Sequence, residues 1–530
     1  MRDTYVSLFY FGGDRMDNRK IVVYNNKIVI NNYLYGDYPG LDSSFEMFDP
    51  ITHTYITKAA IYDRQAKTLT IPRGVDIPYL EKMLGYNAFY DNSCIEPREN
   101  KSKILLKYPP KDEKQAEALN FLSGNGKYAF TKKYSQLFLA LDTGAGKTYL
   151  GIVYTALLNL KTIIITTSNN WLAQWRTRFI EHTNLISSEI HSIEGSADIN
   201  NLLAKGDTVM NKYKVYTITH ATILSYASEH GWGSIDTLFR KLGIGLKIID
   251  EAHLNFDNIY HIDYASSVYK TLYLTATPVR GERNENRIYQ IYFKNIPMLD
   301  LFDPDSDPHT HYISLRYRSN MSVTDINRCQ SNHGFNKQMY SDIVVYYENF
   351  DFISRIVMDM IYKIPGKKML FFATNNSIVF FYNWLLYNYG ELSNDIGIFT
   401  SINDNKAAAL EKQYILTTSK SAGAAVDVKD LMVCVNMAEP TKSPPQNKQR
   451  FGRTRAMNSY YIDVVDTSLK VISNYYKASY AMFEKYALDI KDVVFSDTQL
   501  KDTALNAMCK RYSTYGYVPF EFLGKRKGAK

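Results

Sequence analysis

Leu137-Phe138-Leu139-Ala140-Leu141-Asp142-Thr143-Gly144-Ala145-Gly146-Lys147-Thr148-Tyr149-Leu150 is the stretch on which the fold turns. Leu137 to Leu141 is apolar without alternation, the mark of a strand buried on both faces. A glycine-rich turn follows, and then Tyr149 to Leu158 repeats its apolar residues at helical spacing. Strand, glycine turn and helix in that order make a phosphate loop. Thr143, Gly144, Ala145 and Gly146 can turn their backbone N–H groups onto phosphate oxygens, and the helix N-terminus adds its positive dipole end. Lys147 is expected to reach the β- and γ-phosphates of ATP, and Thr148 to offer its hydroxyl to Mg²⁺. The strict pattern asks for glycine at position 141, where this chain has leucine.

Outward from the loop, the same texture recurs. Thr162 to Thr167, Val215 to Thr219, Leu246 to Ile249 and Thr271 to Leu274 are short apolar runs separated by helix-length segments. Lys368 to Phe372, Ile396 to Phe399, Tyr414 to Thr417, Leu431 to Val435 and Tyr461 to Val465 restart the pattern. Such runs predict two tandem α/β layers, each a parallel sheet between helices. Before them, alternating stretches split by Asn25-Asn26 predict a β-rich domain with a hairpin, closed by a helix after Ile77-Pro78. The expected domains are an N-terminal β-rich accessory domain with DNA binding as a candidate role (1–105), a first ATP-binding domain (106–295), a connector (296–345), a second α/β domain (346–475) and a helical extension with a basic tail (476–530).

Composition narrows the class. A chain of 530 residues with 45% hydrophobic and 22% charged residues is globular and multidomain, not a small binding module, a coiled-coil rod or a disordered chain. Neither a long apolar span nor a secretion signal is present in the sequence, so no membrane partner is expected and a cytoplasmic location is. Cys94, Cys329, Cys434 and Cys509 are too scattered for a zinc ribbon or a disulfide framework. A net charge of +8 suits a phosphate-rich partner without requiring one. The richness in Tyr, Asn, Ile and Lys suggests an AT-rich coding sequence and a phage or viral source, hence host cytoplasm, with packaging in a virion as a second expectation.

Asp250-Glu251-Ala252-His253 closes the strand Leu246 to Ile249. A strand-end aspartate can hold Mg²⁺, and the adjacent glutamate can polarise water for in-line attack on a γ-phosphate. Two neighbouring carboxylates beside an apolar strand are costly without a cation.

With these motifs the sequence resembles the superfamily 2 DEAH-type helicases and translocases, nearest the XPB-like and phage UvsW-like branched-DNA helicases. The resemblance covers about residues 105 to 470 and implies two RecA-like domains holding ATP in the cleft between them. It implies that Gln115 reads adenine and that Thr167, Gln174 and Trp175, within Thr166-Thr167 to Gln174-Trp175, contact a nucleic-acid backbone. His253 with Thr275 and Thr277 of Thr275-Ala276-Thr277-Pro278 would couple hydrolysis to nucleic-acid binding. Thr374 and Ser421 would add nucleic-acid contacts, and Asp427 would meet the nucleotide. Gln449-Arg450-Phe451-Gly452-Arg453-Thr454-Arg455 resembles the arginine-finger element, in which Gln449 couples and an arginine neutralises the γ-phosphate across the cleft. Arg453 is the first candidate finger and Arg455 the second. The family spacing Gly-Arg-x-x-Arg is broken here, because Ala456 stands where the second arginine belongs.

The implied activity is an ATP-dependent DNA helicase or double-strand translocase serving repair, recombination or replication. Its partners would be single-stranded, duplex or branched DNA, with RNA as a second candidate. Two alternatives stand beside it: a transcription-associated helicase that releases nascent RNA or remodels polymerase complexes, and a nucleic-acid-binding scaffold with a vestigial ATP site.

Overall fold

A computed structural model describes residues 21–49, 53–141, 145–205, 212–276, 283–301, 309–331, 334–422, 428–454 and 456–496. The chain divides between residues 302 and 303 into two compact units.

The first unit opens with a five-stranded sheet of β1 (Ile21–Val23), β2 (Lys27–Asn31), β3 (Ile61–Asp63), β4 (Thr68–Pro72) and β5 (Ala88–Tyr90), in the order β3-β4-β2-β1-β5. The expected Asn25-Asn26 hairpin joins antiparallel β1 and β2. The expected helix, α1 (Ile77–Leu84), starts with Asp76 accepting from the Tyr79 N–H and stops at Gly85 in the left-handed region.

After α2 (Glu113–Ser123) come β6 (Gln136–Ala140), α3 (Lys147–Leu158), β7 (Thr162–Thr166), α4 (Asn169–His182), β8 (Ile190–Ile193) and β9 (Val215–Thr219). The unit continues with β10 (Leu246–Asp250), α5 (Phe256–Ala265), β11 (Lys270–Thr275), α6 (Arg283–Phe293) and β12 (Met298–Asp300). Seven strands pair in parallel in the order β8-β9-β7-β10-β11-β6-β12. Alternate residues face opposite layers: Phe138 and Ala140 enter one core, Leu137 and Leu139 the other. That is why these strands read as unbroken apolar runs.

The N-terminal sheet shares the first of those cores, so Ile28, Ile30, Leu69 and Ile71 belong to the same cluster as Tyr260, Tyr264 and Tyr292. Polar contacts lock the seam. Lys27 Nζ donates to the Tyr264 carbonyl at 2.7 Å, and Lys58 bridges Asp257 at 2.8 Å and Glu285 at 3.1 Å. Beneath it, Lys247 and Asp263, both fully buried, pair at 2.6 Å, and the Tyr273 hydroxyl donates to the same carboxylate at 2.6 Å.

The second unit carries β13 (Thr310–Tyr317), β14 (Lys367–Phe372), α7 (Asn375–Asn388), β15 (Ile396–Phe399), β16 (Tyr414–Thr417), β17 (Leu431–Ala438), α8 (Pro444–Phe451), β18 (Ser459–Asp466), α9 (Lys470–Tyr486) and β19 (Ile490–Val494). These strands form a second parallel sheet in the order β15-β16-β14-β17-β18-β13-β19. Two parallel α/β sheets in tandem behind a β-rich region is the architecture expected from the sequence.

One expectation needs correcting. The stretch 296–345 is no mere connector, because β13 lies inside the second sheet between β18 and β19. Its His311, Ser314 and Arg316 hid it among polar residues, and partners from β19 and the turn before it take up their polar atoms: His311 meets Asp489 at 2.7 Å and Arg316 meets Asp492 at 2.9 Å. Likewise β19 is a strand within the expected helical extension, whose basic tail lies outside the described residues. No described helix is long and apolar enough to cross a membrane. Cys94, Cys329 and Cys434 are free thiols.

Candidate nucleotide-binding site

The phosphate loop leaves the end of β6, where the Leu141 N–H donates to the Thr275 carbonyl at 3.0 Å and ties the loop to β11. Thr143 and Gly144 lie outside the described residues. Gly146 takes φ +96°, a left-handed turn that a side chain disfavours, and α3 begins at the next residue, Lys147. Gln115 is buried behind this turn. Its Nε2 donates to the Ala145 carbonyl at 3.0 Å and its Oε1 accepts from the Lys111 N–H at 3.0 Å. The glutamine expected to read adenine thus stands against the loop itself.

Across from the loop, β10 ends at Asp250. Glu251 adopts φ +52°, a conformation that costs a non-glycine residue about 1–3 kcal/mol and that surrounding contacts must hold. Its Oε1 lies 3.9 Å from Lys147 Nζ, and Lys147 also sits 3.4 Å from the Leu141 carbonyl. His253 Nδ1 is 3.2 Å from the other Glu251 oxygen and 2.7 Å from the Thr275 hydroxyl. A chain of contacts therefore runs from the lysine through glutamate and histidine to the end of β11. Burial and the neighbouring Glu251 charge push the Asp250 carboxyl well above its usual range. Glu251 is held below its usual range against the opposing effect of burial, first by Lys147 and then by His253.

Two adjacent buried carboxylates that share one lysine carry more negative charge than the protein neutralises. Mg²⁺ fits such a donor set, since it commonly takes one or two protein oxygens and completes its shell with phosphates and water. Thr148, second residue of α3, and Asp250 are the residues that would hold it.

Trp175 overturns one expectation. It was expected to touch a nucleic-acid backbone, yet its side chain is 1% exposed and its indole N–H donates to Asp250 Oδ2 at 2.8 Å. The ring packs on α3 at Gly151, where a Cβ would sit 2.7 Å from it. Burial removes the indole from any strand and makes it a clamp on the aspartate. A glycine inside an otherwise good helix was the sequence signal for such a close approach. Thr167 and Gln174 are half-buried where α4 begins and along it.

In the second unit Thr374 caps α7, accepting from the Ser377 N–H at 3.2 Å and donating to Asp342. The Ser421 N–H donates to the Thr418 hydroxyl at 3.0 Å. Gln449 is half-buried on α8. Arg453 donates to the Ala422 carbonyl at 3.2 Å, which joins the arginine-bearing turn to the helix ending at Ala422. Arg450 is instead almost fully buried. It pairs with Glu439 at 2.9 Å and donates to the Ser419 hydroxyl at 2.6 Å. Thr277, Asp427 and Arg455 lie outside the described residues.

Residues 110–280, which hold the loop, the carboxylates and Thr275, match the family described as type III restriction enzyme, res subunit. No curated protein matches the sequence. Among solved structures, Mss116p bound to single-stranded RNA and AMP-PNP is similar with a TM-score of 0.50 and 13% identity, over 79% of this chain and 84% of that one. Dbp5 from S. cerevisiae, bound to RNA and ADP BeF3, gives a TM-score of 0.49 at 15% identity, over 76% and 93%. T4 UvsW gives 0.35 at 14% identity, over 90% and 99%. At such identities these likenesses concern the fold alone. The family match falls on the segment that carries the glycine turn, Lys147 and the strand-end carboxylates, and it spans residues 110–280 of the 530.

Proposed function

We propose that the chain couples ATP hydrolysis to movement along DNA, as a helicase or double-strand translocase that unwinds or remodels branched DNA in repair, recombination or replication. The observation that carries this reading is the contact chain Lys147–Glu251–His253–Thr275, which links a phosphate-binding lysine to the end of the neighbouring strand. Lys147 would exchange its carbonyl and carboxylate neighbours for phosphate oxygens. Glu251, charged and released from Lys147, would then orient a water for in-line attack and accept its proton. His253 would report the change to β11 through Thr275. Bound Mg²⁺, held by Thr148 and Asp250, would supply charge neutralisation at the phosphates. The same reading gives Arg453 the part of a cation that neutralises the γ-phosphate, with Arg455 as the second candidate, and gives Asp427 a nucleotide contact and Gln449 a coupling role. Thr167, Gln174, Thr374 and Ser421 would hold a strand by its backbone, so binding should weaken steeply with salt and read no base. Work in the cytoplasm beside replication, repair or transcription machinery follows from that reading.

The test is ATP hydrolysis measured with single-stranded, duplex and forked DNA and with RNA, for the parent and Lys147→Ala. Stimulation by DNA, greatest for forks and lost in the variant, is the expected result. Stimulation by RNA alone would move the chain to the transcription-associated reading. Indifference to every polynucleotide would end the translocase reading.

A further inference from the structure

At the opposite end of β6 from the phosphate loop lies a cleft of about 310 Å³. The N-terminal sheet supplies one wall, with Arg73 just after β4 and Tyr90 at the end of β5. The approach to β6 supplies the other, with Lys133, Tyr134 and Gln136. The phosphate loop follows β6 and the cleft precedes it, so the two are separated by the strand's length, roughly 16 Å for five residues at about 3.3 Å each. The cleft is therefore not part of the ATP site.

Its chemistry is uneven in an informative way. None of its described lining residues is acidic, while Arg73 and Lys133 are both cationic. Arg73 is largely withdrawn from water, which pulls its proton affinity down, and its nearest electrostatic neighbours are the phenols of Tyr90 and Tyr134. Among the described residues no carboxylate pairs with it. A desolvated guanidinium without a counter-ion is costly, and an arriving phosphate offsets that cost with paired hydrogen bonds. Lys133 Nζ stands 5.3 Å from the centre of the Tyr134 ring, beside the same opening. Tyr90 is half exposed and offers its ring as a surface. Gln136 is 4% exposed; its Nε2 is committed to the Tyr273 hydroxyl at 2.8 Å, and its Oε1 has no partner among the described residues. That oxygen is an acceptor waiting for a donor.

Cations without acids, aromatic faces and one orphan acceptor match an anion that carries a flat ring with an edge N–H. The volume lies at the lower end of the roughly 300–1,000 Å³ typical of small-ligand sites. We propose that this cleft is a second nucleotide site, with phosphate on Arg73 and Lys133, the base against Tyr90 and Tyr134, and a base N–H on Gln136 Oε1. Every common base has an edge N–H, so the site selects nucleotides without selecting sequence. The nucleotide comes either from a single strand or from free mononucleotide, and the strand case rests on the nucleic-acid reading above. Because the cleft is walled by both the N-terminal sheet and the first parallel sheet, its ligand would bridge them.

The test uses the full chain carrying Lys147→Ala, so that the phosphate loop does not compete. A single-stranded 12-mer of thymidylate with one 4-thiothymidine is photocrosslinked and mapped, and its affinity is read by fluorescence anisotropy. The expected crosslinks fall on Tyr90 or residues 133–136. Arg73→Gln should weaken binding at least about fivefold with an unchanged melting curve, and Lys133→Gln, at an exposed position, should weaken it about threefold. Loss of the crosslink on adding thymidine monophosphate assigns the site to free nucleotides, and its persistence assigns it to strands; both support a nucleotide site. Parent-like affinity in both variants, with crosslinks absent from these segments, overturns it. DNA-stimulated hydrolysis by the chain without Lys147→Ala, carrying Arg73→Gln, separates that failure from a failure of the motor reading.

Discussion

Numbered along the chain, the strands of both seven-stranded sheets follow one order, 3-4-2-5-6-1-7, and all of them pair in parallel. The two sheets nevertheless treat the same places differently. After strand 1 the first unit has the phosphate loop. The second has Arg318-Ser319, where the Ser319 N–H simply donates to Asp466 at 3.0 Å. At the end of strand 5 each places buried carboxylate. In the first unit Glu251 meets its lysine only at 3.9 Å, and Asp250 beside it takes the Trp175 indole N–H at 2.8 Å. In the second, Glu439 takes Arg450 at 2.9 Å, the Ser419 hydroxyl at 2.8 Å and Lys337 at 3.4 Å. A charge left short of partners is available to a ligand, whereas a saturated one holds the fold together. At this one position the same topology leaves Glu251 with a distant lysine in the first unit and ties Glu439 closely to Arg450 in the second.

The sharpest way to break this contrast is Arg450→Met. It strands Glu439 in the interior, and the second unit should lose about 3–5 kcal/mol of stability, read by urea unfolding. A loss under about 1 kcal/mol would show that Glu439 is not structural. The matching change in the first unit, Glu251→Gln, should leave the unfolding midpoint and nucleotide binding in place and lower ATP turnover by about 10²–10⁴-fold, the range for removal of a general base.

His220 sharpens the comparison through pH. It is buried at the end of β9, both ring nitrogens are unpartnered among the described residues, and burial pulls its pKa down to about 4, with Asp263 opposing. Unfolded histidine titrates near ~6.5, so between there and 4 only the unfolded chain takes the proton. Stability is full above that window and falls as pH drops through it, by at most about 3 kcal/mol. Thermal unfolding of His220→Phe should show a flatter acid limb. A slope identical to the parent's would remove the histidine from the account.

The smallest expected effect is that of Trp175→Phe, which keeps the ring on Gly151 and withdraws the N–H from Asp250. Turnover should fall about tenfold, in line with one hydrogen bond to a charged group, and the Mg²⁺ concentration for half-maximal rate should rise. An unchanged Mg²⁺ dependence would leave the tryptophan a packing residue only.

Much of this was legible in the residues. Strands buried on both faces announced themselves as apolar runs, and the loop and strand-end carboxylates carry their chemistry in adjacent positions. What stayed hidden is non-local. β13 looked like connector because its polar residues are satisfied by β19 and the turn before it, some 175 positions away. The partner of Trp175 was hidden because nothing near it in sequence reveals an aspartate 75 residues on. Arg450 and Arg453 sit three apart in one motif, and only their partners separate a buried ion pair from an arginine at the edge of a turn.

Order along the chain therefore determined which groups exist: a lysine at a helix start, two carboxylates at a strand end, arginines in a helix and the turn after it. Tertiary structure decided which of them keep an unmet charge. That is a property of desolvation and of partners delivered by distant segments, and no local pattern of residues contains it.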